Sequence, residues 1–329
     1  MEASEVSGRP AAVGASPDLA EVDPSAVAAR SPWELFWRRF RQDRLALASL
    51  IFIGLLILVA LFAPLIVKVV GTPAPDVRDT TALDAFGTPT GPSTAHPFGV
   101  DAIGQDVFSR TVYGARVSLI VAFVATGLAT LVGVIAGILA GYLRGWVDVL
   151  VSRSVDVLLA IPYLLLATGL AASCSLGDGC AGGLLKPGLS VVIFVIAVTS
   201  WAPIARIVRG QTLSLREREF VEAARSVGAS NTRIVFGELL PNLVAPIIVY
   251  ASILIPQVIL YEAALSFLGV GVQAPTASWG QMISDATQIF ATAWWYMLYP
   301  GLALLLTVLA FNLVGDALQD ALNPKAARK

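Results

Sequence analysis

From Leu45 to Val67 the chain carries no charged side chain, and sixteen of these residues are Leu, Ile, Val or Phe. As a helix this run would be about 34 Å long, enough to cross a hydrocarbon core of about 30 Å. Its apolar side chains supply on the order of −5 to −10 kcal/mol of apparent insertion free energy, which one central arginine would not cancel. Comparable runs follow at 118–142, 155–173, 189–207, 239–260 and 294–314. The pattern therefore predicts an all-α membrane protein with six transmembrane helices, a single membrane domain over 45–322. Residues 1–31 are rich in Ala, Ser, Pro, Glu and Asp without periodicity and read as a disordered tail. Residues 323–329 form a second, short tail. Over 32–44, Trp33, Phe36, Trp37 and Phe40 recur at helical spacing beside Arg38, Arg39, Arg41 and Arg44, the pattern of an interfacial amphipathic helix.

Composition agrees: 56% of residues are hydrophobic and 14% charged, so most of the chain has lipid as its solvent. A net charge of −1 disfavours nucleic acid as a partner. The placement of the cations says more than their sum. With the N-terminus inside, seventeen of the 22 Lys and Arg residues fall in inner segments, and only Lys68, Arg78, Arg110, Arg116 and Lys186 lie outside. Positive-inside bias thus puts both termini in the cytoplasm. No basic and apolar leader of a cleavable signal peptide precedes Leu45, so the first span is expected to stay as an anchor. With one histidine and two cysteines a metal centre is hard to assemble, and none is predicted. No GxxxxGK[ST] loop occurs, and a Ser-His-Asp triad would have to use His96, so no catalytic residues are assigned.

Within the spans, Gly133, Gly137 and Gly141 recur every four residues and favour close helix packing. Pro162, Pro203, Pro246 and Pro256 interrupt other apolar stretches and invite kinks. Glu262 stands in an otherwise uncharged stretch from 239 to 282, as either a polar anchor at the outer end of span five or a contact for a substrate amine. The anchor reading is favoured, with the run Ser266 to Val272 re-entrant or interfacial. His96 reads as a hydrogen-bonding group of an outer loop. Cys174 and Cys180 flank Gly177 and Gly179 in a segment assigned to the outside; a disulfide there and two free thiols both remain open.

The loop over 215–238 carries the most information. Phe220, Ala223, Ala224 and Val227 recur at i, i+3, i+4 and i+7, an apolar stripe opposite Arg216, Glu219 and Arg225. Gly228 can end that helix in a left-handed conformation, and Ser230 or Asn231 can cap the next. A thin, small-residue face on a charged helix outside the membrane suits insertion into a cleft of a partner. Glu222-Ala223-Ala224, then Arg225 and Gly228, then Leu240-Pro241 resembles the EAA loop of bacterial ABC importer permeases. The stretches HPFGVDAIGQDVFSRTVYGARVSL from His96, EAALSFLGVGVQAPTASW from Glu262 and RRFRQDRLALASL near the start are similar to the C-type permease of dipeptide and oligopeptide importers.

The resemblance, over roughly 33–322, implies a type I ABC importer permease of the bacterial inner membrane whose coupling helix docks on a cytoplasmic ATPase. It implies as partners a homologous second permease, two ATPase subunits and an extracytoplasmic peptide-binding protein. ATP and Mg would be used by the ATPase subunits, with no cofactor on this chain. Gln105 and Glu238 depart from the pattern, which commonly has arginine and histidine there. The expected cargo is dipeptide or oligopeptide; glutathione and nickel importers share these loops. Two readings come from other classes: a self-contained secondary transporter, for which the sequence offers few mid-membrane ionisable groups and no visible repeat, and a static scaffold, which leaves the 215–238 loop without a purpose.

Overall fold

The computed structural model describes residues 37, 40–175, 179–180 and 183–322. Most of the expected amphipathic helix at 32–44 and both tails lie outside the described residues. Among the described residues β pairing is confined to isolated bridges, and the architecture is a helical bundle.

Asp43 starts the first helix, α1 (Arg44–Leu61), by accepting the amides of Leu45 and Ala46 at 2.9 and 3.0 Å. After Phe62 it continues as α2 (Ala63–Val70), closed by Gly71 in the left-handed region. A long loop then leads to α3 (Val107–Leu143), which begins well before the expected Ser118 because Asp106 caps it through the Ser109 amide at 2.7 Å. At 37 residues α3 is about 55 Å long, so its first turns project beyond a bilayer core.

The span expected at 155–173, where Pro162 invites a kink, starts earlier in the chain and is sharply broken. Two helices, α4 (Gly145–Ala160) and α5 (Tyr163–Ser175), meet there at 94°. Pro162 has no N–H to continue the ladder, and its ring drives Ile161 into extended backbone (φ −93°, ψ 131°). Next come α6 (Leu189–Leu215), the short α7 (Glu219–Ser226) and α8 (Leu240–Phe267), the last entered through Asn231–Arg233 and a π-helical turn over Ile234–Leu239. After α8 the chain turns at Gly269 (φ +78°), within the run expected to be re-entrant or interfacial. The bundle closes with α9 (Trp279–Ala286) and α10 (Trp294–Leu322). Among the described residues five helical runs are long and apolar enough to cross a membrane, and six if the bent pair α4–α5 counts as one span.

The tightest pair is α3 against α6. A Cβ on Gly133 would stand 2.8 Å from the Trp201 carbonyl, one on Gly137 2.7 Å from that of Ala205, and one on Gly141 2.9 Å from that of Arg209. Both partners repeat every four residues, so backbone meets backbone over two turns. Around this seam Val121, Val195, Leu243 and Val258 form the main core, while α1 and α10 pack on another face of α3 through Ala46, Ile53, Ala122 and Phe311. On the outward face of α1, Ile51, Leu55 and Leu58 are at least half exposed, as lipid-facing residues are.

Glu262 is wholly buried. Its carboxylate accepts the Ser118 hydroxyl of α3 and the Ser266 hydroxyl one turn on, both at 2.9 Å. Ser266 in turn accepts the Val272 amide at 3.1 Å. Trp279 donates its indole N–H to the Thr111 carbonyl at 2.9 Å and lies over Gly114. Glu262 thus sits in the joint of α3, α8 and the following turn.

This packing has two measurable consequences. Gly137→Leu should destabilise the detergent-solubilised protein by about 1–3 kcal/mol through overpacking, read as a lowered thermal midpoint. Gly127→Leu, at a position with open space around it, should leave the midpoint in place. Glu262→Leu strands two buried hydroxyls and should cost about 1–3 kcal/mol, whereas Glu262→Gln keeps an acceptor and should recover much of that loss in the same assay.

Candidate functional site

At the arginine-rich end of the bundle α7 is built as a short, well-ended helix. Glu219 and Glu222 occupy its first turn and Arg225 its last, each matched to the helix dipole. Gly228 (φ +81°) then completes a Schellman close: its amide reaches the Arg225 carbonyl at 2.9 Å, and the Ala229 amide reaches Ala224 at 3.0 Å. Ser230 caps the next turn through the Arg233 amide at 3.4 Å. Leu240 packs against the core, and Pro241 stands at the start of α8, just after the π turn.

Only one side of α7 is used internally. Val221 is fully buried beside Ile234 and Leu239, and Ala224 leans on the same cluster. Phe220, Ala223 and Val227 face away from the chain, Val227 at 85% exposure. The stripe expected from the sequence is therefore split, with Ala224 inward and the remaining three presented outward.

The connection of α7 to the spans passes through Tyr142, at the end of α3. Its hydroxyl donates to Asn231 Oδ1 at 2.8 Å, and its carbonyl accepts from Arg216 Nη1 at 2.5 Å. The guanidinium groups of Arg216 and Arg225 lie 5.8 and 5.9 Å from its ring centroid. Arg144, next to the end of α3, pairs with Glu217 at 2.5 Å. One aromatic side chain thus touches the residues before, on and after α7. Nothing in the hydropathy or periodicity marks Tyr142, because its hydrogen-bond partners are 74 and 89 positions away in sequence. The π turn over Ile234–Leu239, which holds Glu238, is the second connection, joining α7 to α8. A displacement of α7 would reach α3 through Tyr142 and α8 through the π turn.

The opposite end carries a cap formed by the loop before α3. His96 is buried, with Nδ1 2.8 Å from Asp106 and Nε2 3.4 Å from Asp79, so its ring ties the loop to the cap of α3. Thr81 holds the Asp79 carboxyl below the usual range. Trp295 donates to the Val100 carbonyl at 3.1 Å. A cavity of about 560 Å³ opens here, lined by Asp76, Arg78, Asp101, Arg110, Gln281 and Asp285. Burial pushes the Asp101 and Asp285 carboxyls above their ordinary values, opposed by the Arg110 charge. Gln105 accepts a hydrogen bond from Arg110, a position where an arginine would have set like charges together. Cys174 and Cys180 are joined in a disulfide at this end. Among the described residues no group of three or more His, Cys, Asp or Glu side chains is placed to hold a metal ion.

Residues 133–328 match the family described as the binding-protein-dependent transport system inner membrane component, and residues 31–82 match the N-terminal TM domain of oligopeptide transport permease C. The dipeptide transport system permease protein DppC of Alkalihalophilus pseudofirmus is 41% identical over 295 residues, covering 90% of each chain. The glutathione transport system permease protein GsiD of Salmonella paratyphi A is 45% identical over 296 residues, covering 90% of this chain and 91% of its own. Among solved structures, the inward-facing MetNI methionine ABC transporter matches with a TM-score of 0.52 at 23% identity, covering 65% of this chain and 96% of that one, which shows the fold. An ATP-driven complex, rather than a self-contained secondary transporter or a static scaffold, is the setting of this family. The chain belongs to the family of binding-protein-dependent transport system inner membrane components, as a multi-pass permease subunit of an ABC importer.

Proposed function

We propose that this permease carries small peptides inward, with both termini in the cytoplasm and α7 as the helix on which an ATPase acts. The observation that carries the reading is the outward face of Phe220, Ala223 and Val227 on a helix clamped to the spans by Tyr142. A small apolar face beside charged flanks suits a cleft in a partner, and the placement of seventeen cations supports a cytoplasmic position for it. The complex is completed by a homologous second permease, two ATPase subunits that use ATP and Mg, and an extracytoplasmic binding protein. This chain contributes no catalytic group. ATP-driven closure of the ATPase pair would push α7, and the Tyr142 contact and π turn would pass the displacement to α3 and α8, switching which side the pathway faces. Relatives named for dipeptide and for glutathione support a small peptide as cargo, glutathione being itself a tripeptide.

The test uses the complete complex in proteoliposomes, with peptide uptake and ATP hydrolysis measured together. Ala223→Trp fills the outward face, and Gly228→Val forces a β-branched residue to φ +81°, a strain of about 1–2 kcal/mol in the close of α7. Each should lower peptide transported per ATP hydrolysed at least tenfold, and Tyr142→Ala should do the same from the membrane side of the joint. Unchanged transport per ATP in all three variants would sink the proposed role of α7.

A further inference from the structure

Pro162 lies in the break between α4 and α5, Pro203 within α6 and Pro256 within α8, and each withholds an amide N–H from the carbonyl four residues before it. Two of those carbonyls belong to Leu158 and Thr199, and both residues line one cavity of about 360 Å³. It lies where α4 breaks into α5, against the middle of α6 and one face of α8. Gln257 and Tyr261, four apart on α8, share that face. The Tyr163 ring stacks on Tyr261 with centroids 3.6 Å apart and planes at 22°, and the Ser200 hydroxyl lies 3.5 Å from the Tyr163 hydroxyl.

Depth decides what this cavity is for. Gln257 is ten residues from Phe267, the end of α8, which places it about 15 Å down a helix, half of a 30 Å core. Ser200 is eleven residues into α6, at the same depth from the same end. At this level Gln257 is exposed, and among the described residues neither its carboxamide nor the Tyr261 hydroxyl has a hydrogen-bond partner. Hydrocarbon cannot supply one, so an exposed carboxamide at mid-depth does not face lipid. The lipid-facing pattern is seen on α10, where Leu302, Leu305 and Leu309 are exposed. Glu262, next to Tyr261 and readable from the sequence as a substrate contact, is buried in the joint with α3 and points away from any opening.

We propose that the cavity bounded by Tyr163, Ser200, Gln257 and Tyr261 is this subunit's part of the translocation pathway and binds the main chain of the peptide cargo. The inference rests on the peptide-importer reading. The lining holds no charge, so it offers amide and hydroxyl groups to peptide C=O and N–H groups without favouring either terminus or any charged side chain. Neutral, dispersed hydrogen bonds hold a passing solute weakly enough to let it go. Leu158, Ile161 and Leu254 supply apolar wall for cargo side chains. The break at Pro162 lets the Tyr163 ring shift against Tyr261, so the stacked pair is placed to narrow the passage.

The test uses the complete complex in proteoliposomes. The two cysteines of this chain are bonded to each other, so Gln257→Cys adds the one reactive thiol of this subunit. A membrane-impermeant maleimide, read by mass spectrometry on this subunit, should modify Gln257→Cys in at least one nucleotide state and leave Leu305→Cys on α10 unmodified. Trialanine with the binding protein should slow the modification at least threefold. Gln257→Leu should lower trialanine uptake at least tenfold, and Gln257→Asn should restore part of it. No modification at position 257 in any nucleotide state, modification equal to that at 305, or full uptake by Gln257→Leu would overturn the site. Modification without protection, in a complex whose wild type does take up trialanine, would overturn the peptide contact. Should the wild-type complex take up no peptide, the cargo reading fails, while the maleimide comparison still decides whether the passage runs here.

Discussion

The bundle depends on the contact of α3 with α6, where Gly133, Gly137 and Gly141 bring one backbone against the carbonyls of Trp201, Ala205 and Arg209. Inside a bilayer there is no hydrophobic effect to draw helices together, so close packing of small residues supplies the attraction. This seam fixes the rest. It aligns the ends of α3 and α6 so that Tyr142 and Arg216 meet, and it sets the middle of α6 against the α4–α5 break. Backbone contact over two turns holds α3 and α6 together as one rigid body, which suits a permease whose pathway opens by movement of whole helices.

Lipid as solvent also sorts the polar groups. Glu262 is buried and fully occupied by two serine hydroxyls, and its consequence is rigidity at the joint of α3 and α8. Gln257, less than two turns away on the same helix, is exposed with no partner among the described residues. In water this difference would mean little, because an exposed glutamine is satisfied by solvent. At mid-depth in a membrane it separates a structural polar group from one that would face the proposed passage. Charge is kept out of that passage and gathered at the two ends. There the buried Asp101 and Arg110 side chains face each other beside the cavity at one end, and the exposed Arg144–Glu217 pair at the other stands where water can screen it.

Much of the fold is legible in the sequence because the deciding signals are local. Apolar run length locates the spans, the spacing of Gly133, Gly137 and Gly141 announces a packed face, and Gly228 marks the close of α7. What escapes is set by contacts distant in sequence or by caps outside the apolar runs. The start of α3 lies ahead of its apolar run, since Asp106 and the turns after it are packed by the loop that precedes α3 rather than by lipid. Pro162 promises a kink, but the 94° angle follows from the extended backbone of Ile161 and from what α4 and α5 pack against. Glu262 is readable as an anchor or as a substrate contact until burial distinguishes them. Tyr142 gives no signal, being one more aromatic residue at a span end.

Helix α7 is short and joined at both ends, and the two properties belong together. A helix of eight residues is too brief to hold its shape alone, so its form is imposed by the Schellman close at Gly228, by Val221 in the core and by the Tyr142 contacts. A force applied to Phe220 and Val227 is therefore not dissipated by unwinding within α7. It would be delivered at two points: at Tyr142 on α3, and at the π turn that leads into α8, which carries Gln257 and Tyr261. Because α3 is also locked to α6 by the glycine seam, motion at the first point carries α6, with Ser200, as a unit. Motion at the second carries the Gln257 and Tyr261 face of α8. These two faces bound the mid-depth cavity, so under the proposed coupling a push on α7 would change the width of the proposed passage without any charge having to cross the lipid.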